Sequence, residues 1–136
     1  MARSLRETAS ERARDLCEYC QVPQAFDVNP FQLDHVRAEK HGGVTSLSNL
    51  AWCCFLCNSY KGPNVAGYDP ETQSLERLFN PRTDDWDEHY RWDGPILVGR
   101  TTIGRTTIDV LRINLYERVL HRQSLIDIGE FPVEFS

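Results

Sequence analysis

The stretch NLAWCCFLCNSYKG, residues 49–62, decides the fold of this chain. Its first part, Asn49–Cys53, is short and mostly apolar, which predicts a buried strand. Phe55–Lys61 is predicted to be a short helix that ends at Gly62, since glycine closes helices and the following proline cannot continue them. A strand therefore leads directly into a helix, with a Cys-x-x-Cys pair at the junction.

Two Cys-x-x-Cys pairs, Cys17–Cys20 and Cys54–Cys57, predict a zinc site. Each pair forms a knuckle with both sulfurs on one side of a tight turn, and two knuckles supply four thiolates at about 2.3 Å from the metal. A four-thiolate shell has no open coordination position, so the zinc would be structural. The alternative is a set of unrelated buried or redox-active cysteines. Cys53, next to the second pair, is predicted to face the core.

The composition indicates one soluble folded domain of 136 residues, 40% of them apolar. No apolar run approaches the length of a membrane span, and the N-terminal residues lack the apolar region of a secretory signal. We therefore expect a cytoplasmic protein, in which cysteines serve metal binding or thiol chemistry rather than disulfides.

The segments around the cysteines predict a small α+β fold. Ser4-x-x-Glu7 has the form of a capping box, which predicts a helix over residues 5–15. Phe31–Leu33 alternates as a strand does and ends at Asp34-His35, and Gly42-Gly43 predicts a tight turn.

Residues 1–66 are predicted to form the core with its N-terminal helix, and residues 67–136 an α/β extension packed on it. In the extension, Ser74–Phe79 is a candidate strand, and Thr101 or Thr102 is a candidate N-cap for a helix. Apolar positions over residues 115–126 continue the helical pattern.

The net charge of −5 is the wrong sign for capturing nucleic acid by bulk charge, but the charge is unevenly distributed. Residues 68–95 are acidic, whereas residues 100–122 carry an excess of arginine. The arginine-rich stretch is predicted either to meet a phosphate backbone or to form a solvated helix face.

The order of residues between and after the knuckles resembles the HNH endonuclease family in its four-cysteine form. The match consists of Cys-x-x-Cys, then Asp-His, then Gly-Gly, and then Asn-Leu-x-x-x-Cys-x-x-Cys-Asn-x-x-Lys-Gly. It covers residues 17–62 closely and extends more weakly toward Gly104-Arg105. The resemblance implies a ββα-metal fold, in which a two-stranded hairpin and a helix grip a catalytic divalent ion.

The resemblance also implies the roles of four polar residues. His35 would be the general base that activates water, since histidine titrates near neutral pH. Asp34 and Asn58 would hold Mg²⁺ or Mn²⁺ through hard oxygen ligands. Asn49 would hold the loop between the strands and help to fix His35. The third motif position is Asn58 rather than histidine, and a neutral amide should hold the metal more weakly.

Three basic residues are candidates for contact with nucleic-acid phosphates: Arg37, Lys61 and Arg105. Each is equally well explained as an ordinary surface charge. His89, in an acidic run, is predicted to lie in a short amphipathic helix with Trp86 and Tyr90 packed inward rather than in a second metal site.

The function predicted from the sequence is a metal-dependent endonuclease acting most simply on double-stranded DNA. The alternative is a zinc-stabilised module that binds nucleic acid or protein without catalysis. RNA as substrate is not separable from DNA on these residues, and no helix-turn-helix that would read bases is recognisable.

Overall fold

The computed structural model describes residues 3–135. Its helices and strands, in chain order, are α1 (Leu5–Arg12), β1 (Gln32–His35), β2 (Leu50–Cys53), α2 (Phe55–Lys61), β3 (Ala66–Tyr68), β4 (Leu75–Arg77), α3 (Trp86–His89), β5 (Tyr90–Asp93), β6 (Ile96–Gly99), α4 (Thr102–Val110) and α5 (Tyr116–Asp127). The predicted α+β class is confirmed.

The ββα unit predicted from residues 31–62 is present. β1 and β2 pair antiparallel, with Asp34 opposite Ala51 and His35 opposite Leu50. All four residues of β2 are buried. α1 packs against both strands of this hairpin, and α2 packs against β1. α2 spans the predicted residues and ends at Gly62, whose φ of +51° suits glycine.

The first helix ends earlier than the sequence predicts. Ser4 caps it by accepting a hydrogen bond from the Glu7 amide, as the capping box requires. The helix stops at Arg12 rather than at residue 15, because Arg14 and Asp15 have positive φ and turn the chain into the first knuckle.

The extension forms two further antiparallel hairpins, β3–β4 and β5–β6, followed by α4 and α5. The β5–β6 hairpin is absent from the sequence-based prediction. His89 ends α3 and Tyr90 begins β5, and both are buried. Thr101 is the N-cap of α4, with its hydroxyl accepting from the Gly104 amide.

One hydrophobic core joins both halves of the chain. Phe79 from the extension makes edge-on contacts with Tyr19 and Tyr90, with ring centroids 6.5 and 5.3 Å apart. The indoles of Trp86 and Trp92 donate to Tyr19 and Gln21 of the first knuckle, at 3.0 and 3.1 Å. The extension therefore supports the knuckle rather than forming a separate core.

No helix within residues 3–135 is long and apolar enough to cross a membrane.

Candidate functional site

Four buried cysteines converge where the two knuckles meet. The sulfurs of Cys17, Cys20, Cys54 and Cys57 all lie within 4.8 Å of one another. The Cys20 and Cys54 sulfurs are 3.8 Å apart, which equals the edge of a tetrahedron with metal–sulfur bonds of about 2.3 Å. The four thiols are free rather than paired as disulfides. Their number, geometry and softness fit a structural zinc ion.

Local backbone geometry presents these sulfurs. Cys54 is the N-cap of α2, and its sulfur accepts the Cys57 amide at 3.4 Å. The Cys17 sulfur accepts the Cys20 amide at the same distance. Cys53, in contrast, lies in β2, is fully buried and is not among the clustered cysteines, so its predicted place in the core is confirmed.

His35 stands at the end of β1 with one ring nitrogen engaged. Its Nε2 lies 2.9 Å from the Thr45 hydroxyl and 3.4 Å from the Glu39 carboxylate. Within residues 3–135, the structure gives Nδ1 no hydrogen-bond partner. When Nε2 carries the proton and donates it, Nδ1 presents its lone pair and can accept a proton.

Asp34 is buried and engaged through both carboxylate oxygens. One oxygen accepts the Tyr19 hydroxyl at 2.8 Å, and the other accepts the Lys61 ammonium at 3.2 Å. Burial raises the pKa of Asp34, while the positive charge of Lys61 and the Tyr19 hydrogen bond oppose this rise. Lys61 also donates to the His35 carbonyl oxygen at 3.1 Å, so the pair anchors the end of β1.

An open cleft of about 460 Å³ is lined by three of the four predicted catalytic residues, all but Asn49. Residues of β1 and α2 line it, with Asp34, His35 and Asn58 among them. Glu39 lies on the same cleft. His35, Glu39 and Asn58 therefore border one space, and Asp34 lies at its wall with both carboxylate oxygens held by Tyr19 and Lys61.

Asn49 clamps the loop between β1 and β2. Its side-chain amide nitrogen donates to the carbonyl oxygens of Arg37 and Val44, and its oxygen accepts the Arg37 amide, all at 2.8–2.9 Å. Gly43 lies against the Arg37 backbone next to the Asn49 side chain, and a Cβ at this position would come within 1.6 Å of the Arg37 carbonyl oxygen. These hydrogen bonds join both ends of the loop, at Arg37 and Val44, to the Asn49 side chain.

The three candidate phosphate contacts have different surroundings. Arg37 is exposed, and its Nε donates to the His41 carbonyl. Lys61 is only 1% exposed and bonded to Asp34. Arg105 pairs with the carboxylates of Asp69 and Glu71, so two acids already occupy its guanidinium.

The arginine-rich stretch does not form one continuous charged surface, whether solvated or phosphate-binding. Arg118 and Arg122 are buried, and they point into the protein from α5. His121, between them, is exposed as predicted.

Residues 17–64 match the family model described as HNH endonuclease. This segment is similar to HNH domains. It contains both knuckles, β1, β2 and α2, and every candidate catalytic residue.

A curated relative, Septu protein PtuB of Bacillus thuringiensis, is 25% identical over 118 residues. The match covers 85% of this chain and 43% of the relative, so the chain spans less than half the length of that protein. No solved structure matches the chain.

Three neighbours of the HNH residues were not identified from the sequence: Tyr19, Glu39 and Thr45. Glu39 lies four residues after His35, but this spacing brings side chains together only on a helix, and His35 ends a strand. Tyr19 lies inside the first knuckle, and the sequence shows nothing that pairs it with Asp34. Thr45 is placed by the loop that Asn49 clamps.

Removing the Lys61 charge should destabilise the protein by about 3–5 kcal/mol, because Asp34 would remain buried without a charged partner. Urea unfolding of Lys61→Met measures this free energy. The exposed Lys40, changed to Met, should cost less than about 0.5 kcal/mol. The double variant Lys61→Met with Asp34→Asn should recover much of the loss. An equal cost for the two lysine variants would contradict the pairing.

Proposed function

We propose that this protein is a metal-dependent endonuclease that hydrolyses phosphodiester bonds in double-stranded DNA, with His35 activating the attacking water. The observation that carries the proposal is the position of the His35 ring and its hydrogen bonding. Thr45 and Glu39 lie against Nε2, Nδ1 has no hydrogen-bond partner among the described residues, and His35 lines a cleft that Asn58 also lines.

In this mechanism, His35 Nδ1 takes a proton from water as the water attacks phosphorus. The Glu39 carboxylate and the Thr45 hydroxyl orient the ring. Lys61 holds the His35 carbonyl and Asn49 holds the Arg37 amide two residues later, so the backbone at the base keeps its position during the reaction.

Asp34 and Asn58 are the proposed holders of Mg²⁺ or Mn²⁺, and their oxygen donors fit such an ion in kind. When bound, a divalent cation stabilises the charge that develops on the phosphate and the leaving oxygen. Both Asp34 oxygens already accept hydrogen bonds, one from the Tyr19 hydroxyl and one from the Lys61 ammonium. Metal binding therefore requires Asp34 to share these oxygens with the ion or one of the two partners to move.

DNA is a sufficient substrate because an activated water needs no 2′-hydroxyl. The candidate contacts to its phosphates remain Arg37, Lys61 and Arg105, of which Arg37 is the most exposed. A cytoplasmic location also remains a prediction.

A second function is favoured by the full engagement of Asp34. A carboxylate satisfied by Tyr19 and Lys61 is also what a non-catalytic scaffold would contain. In that case, the HNH domain would bind nucleic acid or protein without cleaving it.

Cleavage assays with controlled metal distinguish the two functions. Supercoiled plasmid and single-stranded RNA are incubated with the full chain and Mg²⁺, Mn²⁺ or EDTA. Brief EDTA treatment should stop plasmid cleavage while circular dichroism stays unchanged, because the buried thiolates retain zinc. Added Mg²⁺ or Mn²⁺ should restore cleavage without added zinc.

The Asp34→Ala variant tests the oxygen-ligand site directly. It should lose cleavage at low metal concentration and regain part of it at high concentration, since Asn58 and the substrate phosphate remain. Cleavage that survives both metal removal and this substitution would show that Asp34 and Asn58 do not carry the chemistry. No cleavage under any condition would favour the binding module.

A further inference from the structure

The side chain of Arg118 in α5 reaches the sulfurs of the second knuckle. Its Nη2 donates to Cys57 Sγ at 3.0 Å and lies 3.8 Å from Cys54 Sγ. Its Nη1 donates to the carbonyl oxygens of Leu111 and Arg112 at 2.8 and 3.2 Å. One end of the guanidinium is therefore bound to backbone carbonyls, and the other contacts the four-cysteine cluster, called the cage below.

The charge of the cage explains why a cation is buried here. Zn²⁺ with four thiolates has a formal charge of −2, and burying such a charge in a protein is costly unless it is compensated. Arg118 is 6% exposed and places its positive charge beside the cluster, with Nη2 directly against the Cys54 and Cys57 sulfurs. Its planar fork suits a fixed, desolvated position better than a flexible lysine would.

The contact is confined to one knuckle. Within residues 3–135, no arginine or lysine donates a hydrogen bond to Cys17 or Cys20, and the Cys17 sulfur accepts only the backbone amide of Cys20. An N–H group that donates to a thiolate withdraws electron density from sulfur, so it lowers the nucleophilicity of that sulfur. The two knuckles should therefore differ in reactivity.

We propose that Arg118 is an outer-shell residue of the zinc site that protects Cys54 and Cys57 from electrophiles and slows zinc loss from the second knuckle. This contact makes α5 part of the metal site. Outer-shell partners of metal ligands typically change metal affinity by about 10–100-fold. This role concerns the integrity of the domain and does not depend on whether the protein cleaves nucleic acid.

Site-resolved alkylation tests the proposal. The zinc-loaded full chain is treated with iodoacetamide, and mass spectrometry follows the modification of each cysteine over time. The ratio of the rate at Cys54 and Cys57 to the rate at Cys17 and Cys20 is the readout. In Arg118→Met, this ratio should rise about tenfold, and zinc transfer to a chelator should accelerate by a similar factor.

Arg122→Met is the matched control. Arg122 lies one turn further along α5 and is 1% exposed, but it donates to Pro95 and Asn114 rather than to sulfur. Its loss should destabilise the chain without changing the alkylation ratio between the knuckles. A ratio in Arg118→Met equal to that in Arg122→Met would overturn the proposal, since a merely structural arginine affects both knuckles alike.

Arg118→Lys keeps the charge but cannot reach the sulfurs and both carbonyls together. We expect its alkylation ratio to lie between those of the parent and Arg118→Met. Should the methionine variant not fold, the lysine variant decides by the same ratio: a value above the parent's supports the outer-shell role, and the parent's value overturns it.

Discussion

Replacing His35 with alanine is expected to reduce the rate of plasmid cleavage by about 10²–10⁴-fold, the usual contribution of a general base. Among the described residues that line the cleft, His35 is the only histidine, and the substitution removes its imidazole. Initial cleavage rates at saturating Mg²⁺ measure the effect. Zinc content and circular dichroism should match those of the parent, because among residues 3–135 the polar partners of this side chain are Thr45 and Glu39 and not the cysteine cluster.

The exposed His121 provides the control for this substitution. It lies on α5, outside the residues that line the cleft, so His121→Ala should cleave at the parent's rate. Glu39→Gln should fall between the two, since the ring would keep Thr45 as a partner but lose the nearby negative charge. Parent-level cleavage by His35→Ala would remove the catalytic assignment and favour the binding module.

The ββα unit was predictable because its residue types leave few alternatives. Two Cys-x-x-Cys pairs fix two turns in space, and Gly62 and Asn49 fix the end of the helix and the start of the second strand. Local chemistry determines each of these features, so spacing along the chain was sufficient. The convergence of Asp34, His35 and Asn58 on one cleft follows from the same geometry.

The partners of these residues were less predictable, since most come from distant parts of the chain. Nothing local shows that Tyr19 and Lys61 satisfy Asp34. Arg118 and Arg122 look like surface charges in a sequence, because the groups that bury them belong to the second knuckle and to the β5–β6 hairpin. Their spacing of one helical turn was the only hint of a shared face.

The β5–β6 hairpin had a local signal that the sequence analysis passed over. Gly94-Pro95 is the two-residue loop between Asp93 and Ile96, and a glycine at the first loop position favours tight hairpin turns. Gly94 has a φ of +56°, in the region that glycine adopts at low cost. The acidic residues before it favour the start of a helix, and the sequence pattern extends that helix to Tyr90. In the structure, α3 ends at His89 and the strand begins at Tyr90.

Loss of one zinc ligand should unfold the protein. Structural zinc contributes an apparent free energy of about 10–16 kcal/mol in small zinc domains, whereas a whole domain is stable by only about 5–15 kcal/mol. The Cys57→Ser variant should therefore contain no stoichiometric zinc and lose its native circular dichroism. The purified parent should hold about one zinc ion per chain by metal analysis, since residues 3–135 contain one such cysteine cluster.

Cys53→Ser separates ligand loss from the general cost of a polar group in the core. Cys53 is as buried as Cys57 and lies four residues before it, but its sulfur is outside the cluster. Serine at this position buries a hydroxyl in place of a thiol, which should cost about 1–3 kcal/mol and leave the zinc in place. The two variants make the same atomic exchange at equally buried sites, so a difference in zinc content and fold isolates the role of coordination. If Cys57→Ser stayed folded with a full complement of zinc, the four-thiolate cage would not be the element that holds this domain together.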